Sequence, residues 1–289
     1  MSRLLTASSL VLLVAMAGCG RPSEPPTRRY ELSGQILAIN AESREFTVKH
    51  GDIVGLMPAM TMTFPVATKA DFADHAPGDL IHATLEVTDG RGQLADVVKT
   101  GSEPLPTNTN EVALAAGLLE VGDAVPDAAL IDQTDRRRSL SEWTGTPTLF
   151  GFVYTRCPLP DYCPLIDKNF ATLQRAIADD TRLAGHVRLV SISIDPAYDT
   201  PEILAAHAAT LGADPAVWTF LTGDLATVDR VAGRYGVGIS RPDAPGEISH
   251  NLRTTLVGAD GTVREIYTGN AWTTDEVLND LRAAVAASR

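Results

Sequence analysis

The apolar and polar positions of this 289-residue chain fall into successive patterns. Residues 10–17 form one unbroken apolar run, preceded by Arg3 and closed by the small pair Ala17-Gly18. The run is shorter than the ~20 residues that cross a bilayer, so residues 1–18 read as the signal peptide of an exported protein. Residues 19–29, with Pro22, Pro25 and Pro26, show no periodicity and read as an extended tether. From residue 30 to 100 the pattern is short and strand-like, with strands predicted at 31–39, 45–50, 59–66, 80–87 and 93–99. Asp89-Gly90-Arg91-Gly92 is a hairpin-turn signature within it. Five short strands in so little chain predict a small all-β barrel of OB-like kind. Residues 101–120, marked by Gly101, Pro104, Pro106, Asn108 and Asn110, read as a linker.

From residue 121 to 289 the period changes repeatedly. Residues 148–154 are continuously apolar, as a strand buried on both faces requires. Residues 164–178 place Leu165, Phe170, Leu173 and Ile177 at helical spacing, with Pro164 suited to the first turn. A strand at 187–194, a helix opened by Thr200-Pro201-Glu202, a strand at 218–221 and a helix at 225–235 follow. Residues 252–257 and 262–267 pair around Asp260-Gly261, and Thr273 with Glu276 forms a capping box for a last helix. This order predicts a mixed sheet with helices on both faces, an α/β domain of thioredoxin-like type.

Composition adds three constraints. At 44% hydrophobic and 21% charged the chain is globular. A net charge of -12 argues against a nucleic-acid binder, which normally needs a basic face. The sulfur atoms are clustered. Of five Met, Met1 and Met16 lie in the signal, and Met57, Met60 and Met62 fall within six residues; of three Cys, Cys157 and Cys163 are neighbours and Cys19 stands at the signal's end. Beyond the signal, no Met serves as scattered core filler, its ordinary use.

Strand parity places Phe46, Val48 and His50 on one face and Met60, Met62, Phe64 and Val66 on another, both pointing into the barrel. Two thioethers and an imidazole are a soft donor set suited to Cu(I) and unlike the thiolate, imidazole and carboxylate ligands of zinc. The alternative is that the methionines are barrel core and His50 caps a strand. The stretch from His50 through Met57-Pro58-Ala59-Met60-Thr61-Met62-Thr63-Phe64 resembles the periplasmic copper-binding protein CusF over about seventy residues. The resemblance implies Cu(I) or Ag(I) held by His50, Met60 and Met62. That family covers its metal with a Trp ring; Met57 stands at about that place here and is a candidate third thioether.

Cys157 follows the 148–154 strand, and Cys163 precedes Pro164 at a helix N-terminus, where the helix dipole is expected to favour a thiolate. A structural disulfide is the alternative in an oxidising compartment. The segments Gly151-Phe152-Val153-Tyr154-Thr155-Arg156-Cys157, Cys163-Pro164-Leu165, Ser193-Ile194-Asp195-Pro196, Asp199-Thr200-Pro201 and Ser249-His250 resemble the Sco/SenC family of copper chaperones, in order and across a whole domain. The resemblance implies a thioredoxin-like fold that binds Cu(I) or Cu(II) through Cys157, Cys163 and His250, with Asp195 nearby. The family's usual spacing leaves three residues between the cysteines; this chain has five, two of them Pro158 and Pro160.

Met16-Ala17-Gly18-Cys19 resembles a bacterial lipobox, which implies lipidation of Cys19 and a membrane anchor facing the periplasm or cell exterior. The expected function is that of a membrane-tethered copper metallochaperone. Copper would pass from the Met/His barrel to the Cys/Cys/His site. From there it would go to a copper-accepting oxidase subunit, the binuclear copper site of cytochrome c oxidase that the family resemblance implies. The competing class is an enzyme, a thiol–disulfide oxidoreductase with a thiol reductant partner; copper buffering or tolerance is a third reading.

Overall fold

The computed structural model describes residues 26–88, 91–241 and 248–288. Signal peptide, Cys19 and the first part of the tether lie outside them, as do Asp89 and Gly90 of the expected turn. Strand β1 spans Arg28–Asn40, so pairing begins inside the stretch read as tether. It is followed by β2 (Glu45–His50), β3 (Met60–Pro65), the short helix α1 (Lys69–Phe72), β4 (Asp79–Thr88) and β5 (Arg91–Ser102). These strands form one antiparallel five-stranded sheet in the order β3-β2-β1-β4-β5. A bridge between Val66 and Leu94 brings its two edges together, which curls the sheet towards the expected barrel. Thr88 pairs with Arg91. Leu32, Ile36, Phe46, Val48, Ile81, Leu85 and Leu94 are fully enclosed in the interior.

The stretch read as a linker contains helix α2 (Thr109–Ala115), whose Asn108 side chain caps the Glu111 N–H. The larger sheet is built from β6 (Ala129–Asp132), β7 (Arg137–Ser139), β8 (Thr148–Val153), β9 (Arg188–Ser193), β10 (Trp218–Thr222), β13 (Arg253–Val257) and β14 (Val263–Thr268). A 3-10 turn at Leu140–Trp143 joins β7 to β8. The helices are α3 (Cys163–Asp179), α4 (Pro201–Leu211), α5 (Leu225–Arg234) and α6 (Thr274–Ala287). The strand order is β14-β13-β8-β9-β10-β6-β7, parallel only within β8-β9-β10. Strand β8 is buried at every residue: α3, which also packs on α4 and α6, covers one face, and the Tyr235 ring just after α5 lies against Phe150 and Phe152 on the other.

Outside this sheet, β11 (Ile239–Ser240) and β12 (Ser249–His250) form a separate two-stranded pair. His250 therefore ends a minimal strand of its own, just ahead of β13.

One glycine is fixed by packing. A Cβ on Gly151 would sit 2.9 Å from the ring of Phe170, so only a bare backbone lets α3 settle on β8. Gly151→Val is expected to cost about 1–3 kcal/mol through overpacking, seen as a lower urea midpoint with an unchanged slope.

The two units touch along the outer face of β2 and β3. Lys49 bridges to Glu111 of α2 at 2.8 Å, and Asn40 hydrogen-bonds to Glu120. Part of the seam is open, a cavity of about 230 Å³ lined by Asn40, Glu45, Thr47, Thr63, Glu120 and Arg253 among others. Among the described residues, no helix is long and apolar enough to cross a membrane.

Candidate metal centres

In the first unit, β2 and β3 pair His50 with Met60, Val48 with Met62 and Phe46 with Phe64. Directly opposed residues share a face, so the two methionines and the histidine point to the same side, as parity required. Phe64 is buried, Met62 and Met57 pack from the edge of the barrel core, and the His50 ring lies 5.9 Å from that of Phe64. Met57 is held in a tight turn by reciprocal backbone bonds with Ile53, and Asp52 accepts from the Ala59 N–H at 2.7 Å to fix the loop before β3.

His50 is 2% exposed. Its Nδ1 lies 2.7 Å from the carbonyl oxygen of Gly51, which can only accept, so the ring proton belongs on Nδ1. Its Nε2 is buried and has no partner. Burial lowers the pKa of this imidazole. A neutral ring with an unused lone pair, beside thioethers, fits a soft monovalent cation.

In the second unit the chain leaves β8 through Tyr154 and turns at Thr155. The buried carboxylate of Asp199 accepts from the Thr155 N–H at 3.1 Å, from the Thr155 hydroxyl and from the Ser193 hydroxyl. Arg156 donates Nε to Asp195 at 2.7 Å and lies over the Tyr198 ring, 4.6 Å from its centroid. Asp195 thus braces the residue before Cys157 instead of standing free for a ligand. The wider loop between the cysteines is closed by the Tyr162 N–H on the Leu159 carbonyl and tied to the 270 region by Asn270 on the Asp161 carbonyl.

Both cysteines are free thiols. Cys163 is 1% exposed, while Cys157 is half-buried. The expectation that Cys163 carries the thiolate is reversed. The neighbouring Cys163 thiol, helped by the Leu159 and Cys163 backbone, favours the Cys157 thiolate and lowers its pKa to about 6. The Cys157 sulfur beside it and burial push Cys163 far up. Together they outweigh the helix dipole, which acts here on a sulfur with little water to share its charge.

His250 is 4% exposed. Its Nε2 lies 3.5 Å from Cys163 Sγ, and its Nδ1 lies 2.9 Å from the Asn251 carbonyl oxygen. The Tyr154 ring meets it edge-on at 5.8 Å, and the Tyr154 hydroxyl donates to the Ile248 carbonyl. Burial lowers its pKa to about 4. The fold thus brings together residues 87 positions apart. Cys163 thus stands between the other two donors, against His250 on one side and acting on the Cys157 sulfur on the other. Among the described residues no three His, Cys, Asp or Glu form a closed ligand set.

Other histidines separate cleanly. His82 is exposed beside Ser33, and His75 packs edge-on to Phe46. His207, which fits no sequence pattern, pairs with Asp167 at 2.9 Å, one helical turn beyond Cys163. Its pKa is raised by that carboxylate. The i, i+4 spacing of Cys163 and Asp167 was the available signal, but the partner on α4 was not visible without the fold.

The larger unit is therefore a thioredoxin-like α/β domain whose strand-end turn presents two thiols to a buried imidazole, a soft set suited to copper. The SCO1/SenC family profile matches residues 120–286, and this chain belongs to that family. The profile of the copper binding periplasmic protein CusF matches residues 29–99. A SCO1 protein homolog of Bacillus subtilis is 28% identical over 156 residues, covering 53% of this chain and 78% of its own. The mitochondrial SCO2 homolog of Homo sapiens is 26% identical over 172 residues, covering 56% of this chain and 60% of its own. Among solved structures, a SCO1/SenC family lipoprotein of Bacillus anthracis superposes with a TM-score of 0.51 at 24% identity, over 58% of this chain and 99% of its own. BsSco, described as a member of the Sco family of cytochrome c oxidase assembly proteins with a disulfide switch, gives 0.50 at 25% identity, over 58% and 98%. The chain is a Sco-family copper-binding protein joined to a CusF-like unit.

Proposed function

We propose that this protein is an exported, lipid-tethered copper metallochaperone. It takes Cu(I) at His50, Met60 and Met62, with Met57 beside them, and passes it to Cys157, Cys163 and His250. It then delivers the copper to the binuclear copper site of cytochrome c oxidase. The observation that carries this reading is that both histidines are prepared alike. Each is buried and gives its Nδ1 to the next residue's carbonyl, which leaves Nε2 of His50 without a partner on the strand face it shares with Met60 and Met62 and Nε2 of His250 against the Cys163 sulfur. Fixing one ring nitrogen by a backbone acceptor is how proteins orient a metal-binding imidazole. The oxidase acceptor is supported by the description of BsSco as belonging to a family of oxidase assembly proteins. The tether is supported by the 10–17 apolar run, the Cys19 context and the lipoprotein among the structural relatives. Silver would occupy the first site by the same donor chemistry.

Cu(I) titrated anaerobically into the reduced protein, against a chromophoric chelator, should fill two tight sites. His250→Ala should weaken the second site at least tenfold and leave the first unchanged. Failure to bind any tight equivalent removes the proposal.

A second reading has its own observation, the acidic Cys157 beside a buried Cys163. As an oxidoreductase, Cys157 thiolate would attack a partner disulfide, releasing one partner thiolate and forming a mixed disulfide. Cys163 would then displace the second partner thiol, leaving Cys157–Cys163 oxidised and the partner reduced; a thiol reductant would restore the pair. Trapping thiols during incubation with an oxidised copper-site peptide tests this. A Cys157–Cys163 couple that never exchanges excludes the enzyme.

A further inference from the structure

The second metal centre depends on an element that cannot stand alone. His250 sits on a strand of two residues, paired only through Ile239 with His250 and Ser240 with Ser249. A pair this short is not stable by itself, so something must hold it. Inside the Sco domain, Asn110 of α2 accepts from the Ile239 N–H and donates to the Val237 and Asp229 carbonyls. Asn251 accepts from the Gly238 N–H and donates to the Gly236 carbonyl. On its other side the pair is covered by β3 of the CusF-like unit, which packs on both β11 and β12. The approach is backbone to backbone. A Cβ on Gly238 would overlap the Thr61 carbonyl oxygen and lie 2.8 Å from the Thr61 Cβ. Thr61 is 5% exposed although it points away from the barrel interior, and Met60 beside it is buried yet belongs to neither apolar core.

We infer that the CusF-like unit is a positioning element for the second centre. Strand β3 buttresses the β11–β12 pair through Thr61 against Gly238, and so holds the His250 imidazole against Cys163. This rests on His250 being a copper ligand. Thr61 and Gly238 are positioning residues that touch neither donor sulfur. The buttress is made by the outer face of the strand whose inner face carries Met60 and Met62. A docked first unit is thus a condition for full affinity at the second, beyond any role in handing copper over.

The test uses the full reduced chain and Cu(I). Thr61→Arg places a long charged side chain in the contact without altering the inward-facing methionines. It should lower affinity at the second site at least tenfold. Affinity at the first site and the Cys157 alkylation profile should stay unchanged, because the cysteine turn is held by Asp199 and not by β3. In a parallel titration with Cu(II), the Cu(II)–thiolate absorption should shift or weaken as the imidazole is lost from the set, a change that simple destabilisation would not produce. Thr61→Ser, which keeps the backbone contact, should restore both. Gly238→Val attacks the same contact from the other side and should match Thr61→Arg. Folding of each variant is checked by circular dichroism, and the folded one of the pair decides. Second-site affinity within threefold of the unaltered chain in a folded variant overturns the buttress. An unaltered chain that binds no copper at the cysteines would instead overturn the proposed function.

Discussion

In the Cys163→Ala chain, the pH at which Cys157 becomes half-reactive to an alkylating agent should rise from about 6 towards the ordinary ~8.5 of a free cysteine, and one of two Cu(I) equivalents should be lost. The sign follows from the neighbour. The Cys163 thiol beside Cys157 lowers its pKa, and alanine has no thiol. Near pH 7 the unaltered Cys157 is mostly thiolate; in the variant only a few per cent would be. The substitution removes a buried sulfur of small volume, so the fold should survive. Copper retained at full affinity, or an unmoved alkylation profile, would contradict the roles assigned to this pair.

The second large effect is expected at a residue that is not itself a copper donor. Asp199→Ala should destabilise the chain by about 2–4 kcal/mol, because a fully buried carboxylate gives up three donors and leaves the Thr155 N–H without a partner. For a chain of this size that corresponds to a fall in Tm of roughly 5–15 °C. The same change should loosen the Cys157 turn two residues on, so copper should dissociate faster from the second site even below the melting range. Asp199→Asn should lie between, since it keeps an acceptor but not the charge. Calorimetry and copper-release kinetics on the same samples would show whether stability and site geometry fall together.

Much of this was legible in the chain. Alternation in 45–50 and 59–66 placed His50, Met60 and Met62 on one side, and the pairing of β2 with β3 has them there. The unbroken run at 148–154 became the interior strand β8, and the capping box of Thr273 with Glu276 opens α6. What escaped was short or non-local. Strands β6 and β7 are four and three residues long, below the length at which periodicity speaks. Helix α2 hid among turn-forming residues, although Asn108 three positions before Glu111 is an N-cap signature. The order of acidity of the cysteines was misjudged. Helix position is a local property, but the burial of Cys163 depends on packing contributed by distant segments. The contact of Gly238 with Thr61 joins residues from different domains, and no local pattern announces it.

The tautomer that the two backbone carbonyls impose has a thermodynamic consequence for the proposed transfer of copper. Neither imidazole carries a proton on the nitrogen offered to metal, and thioethers carry none at all, so loading the first site is proton-neutral. Loading the second is not, because Cys163 must surrender its proton to become a ligand. Moving one copper ion from barrel to cysteines at pH 7 therefore releases about one proton, and the transfer equilibrium should gain roughly tenfold per unit of rising pH. Below the Cys157 pKa of about 6 a second proton joins, and the dependence should steepen to nearly a hundredfold per unit. An acidified exterior would hold copper on the methionines, and a neutral one would draw it on to the thiols.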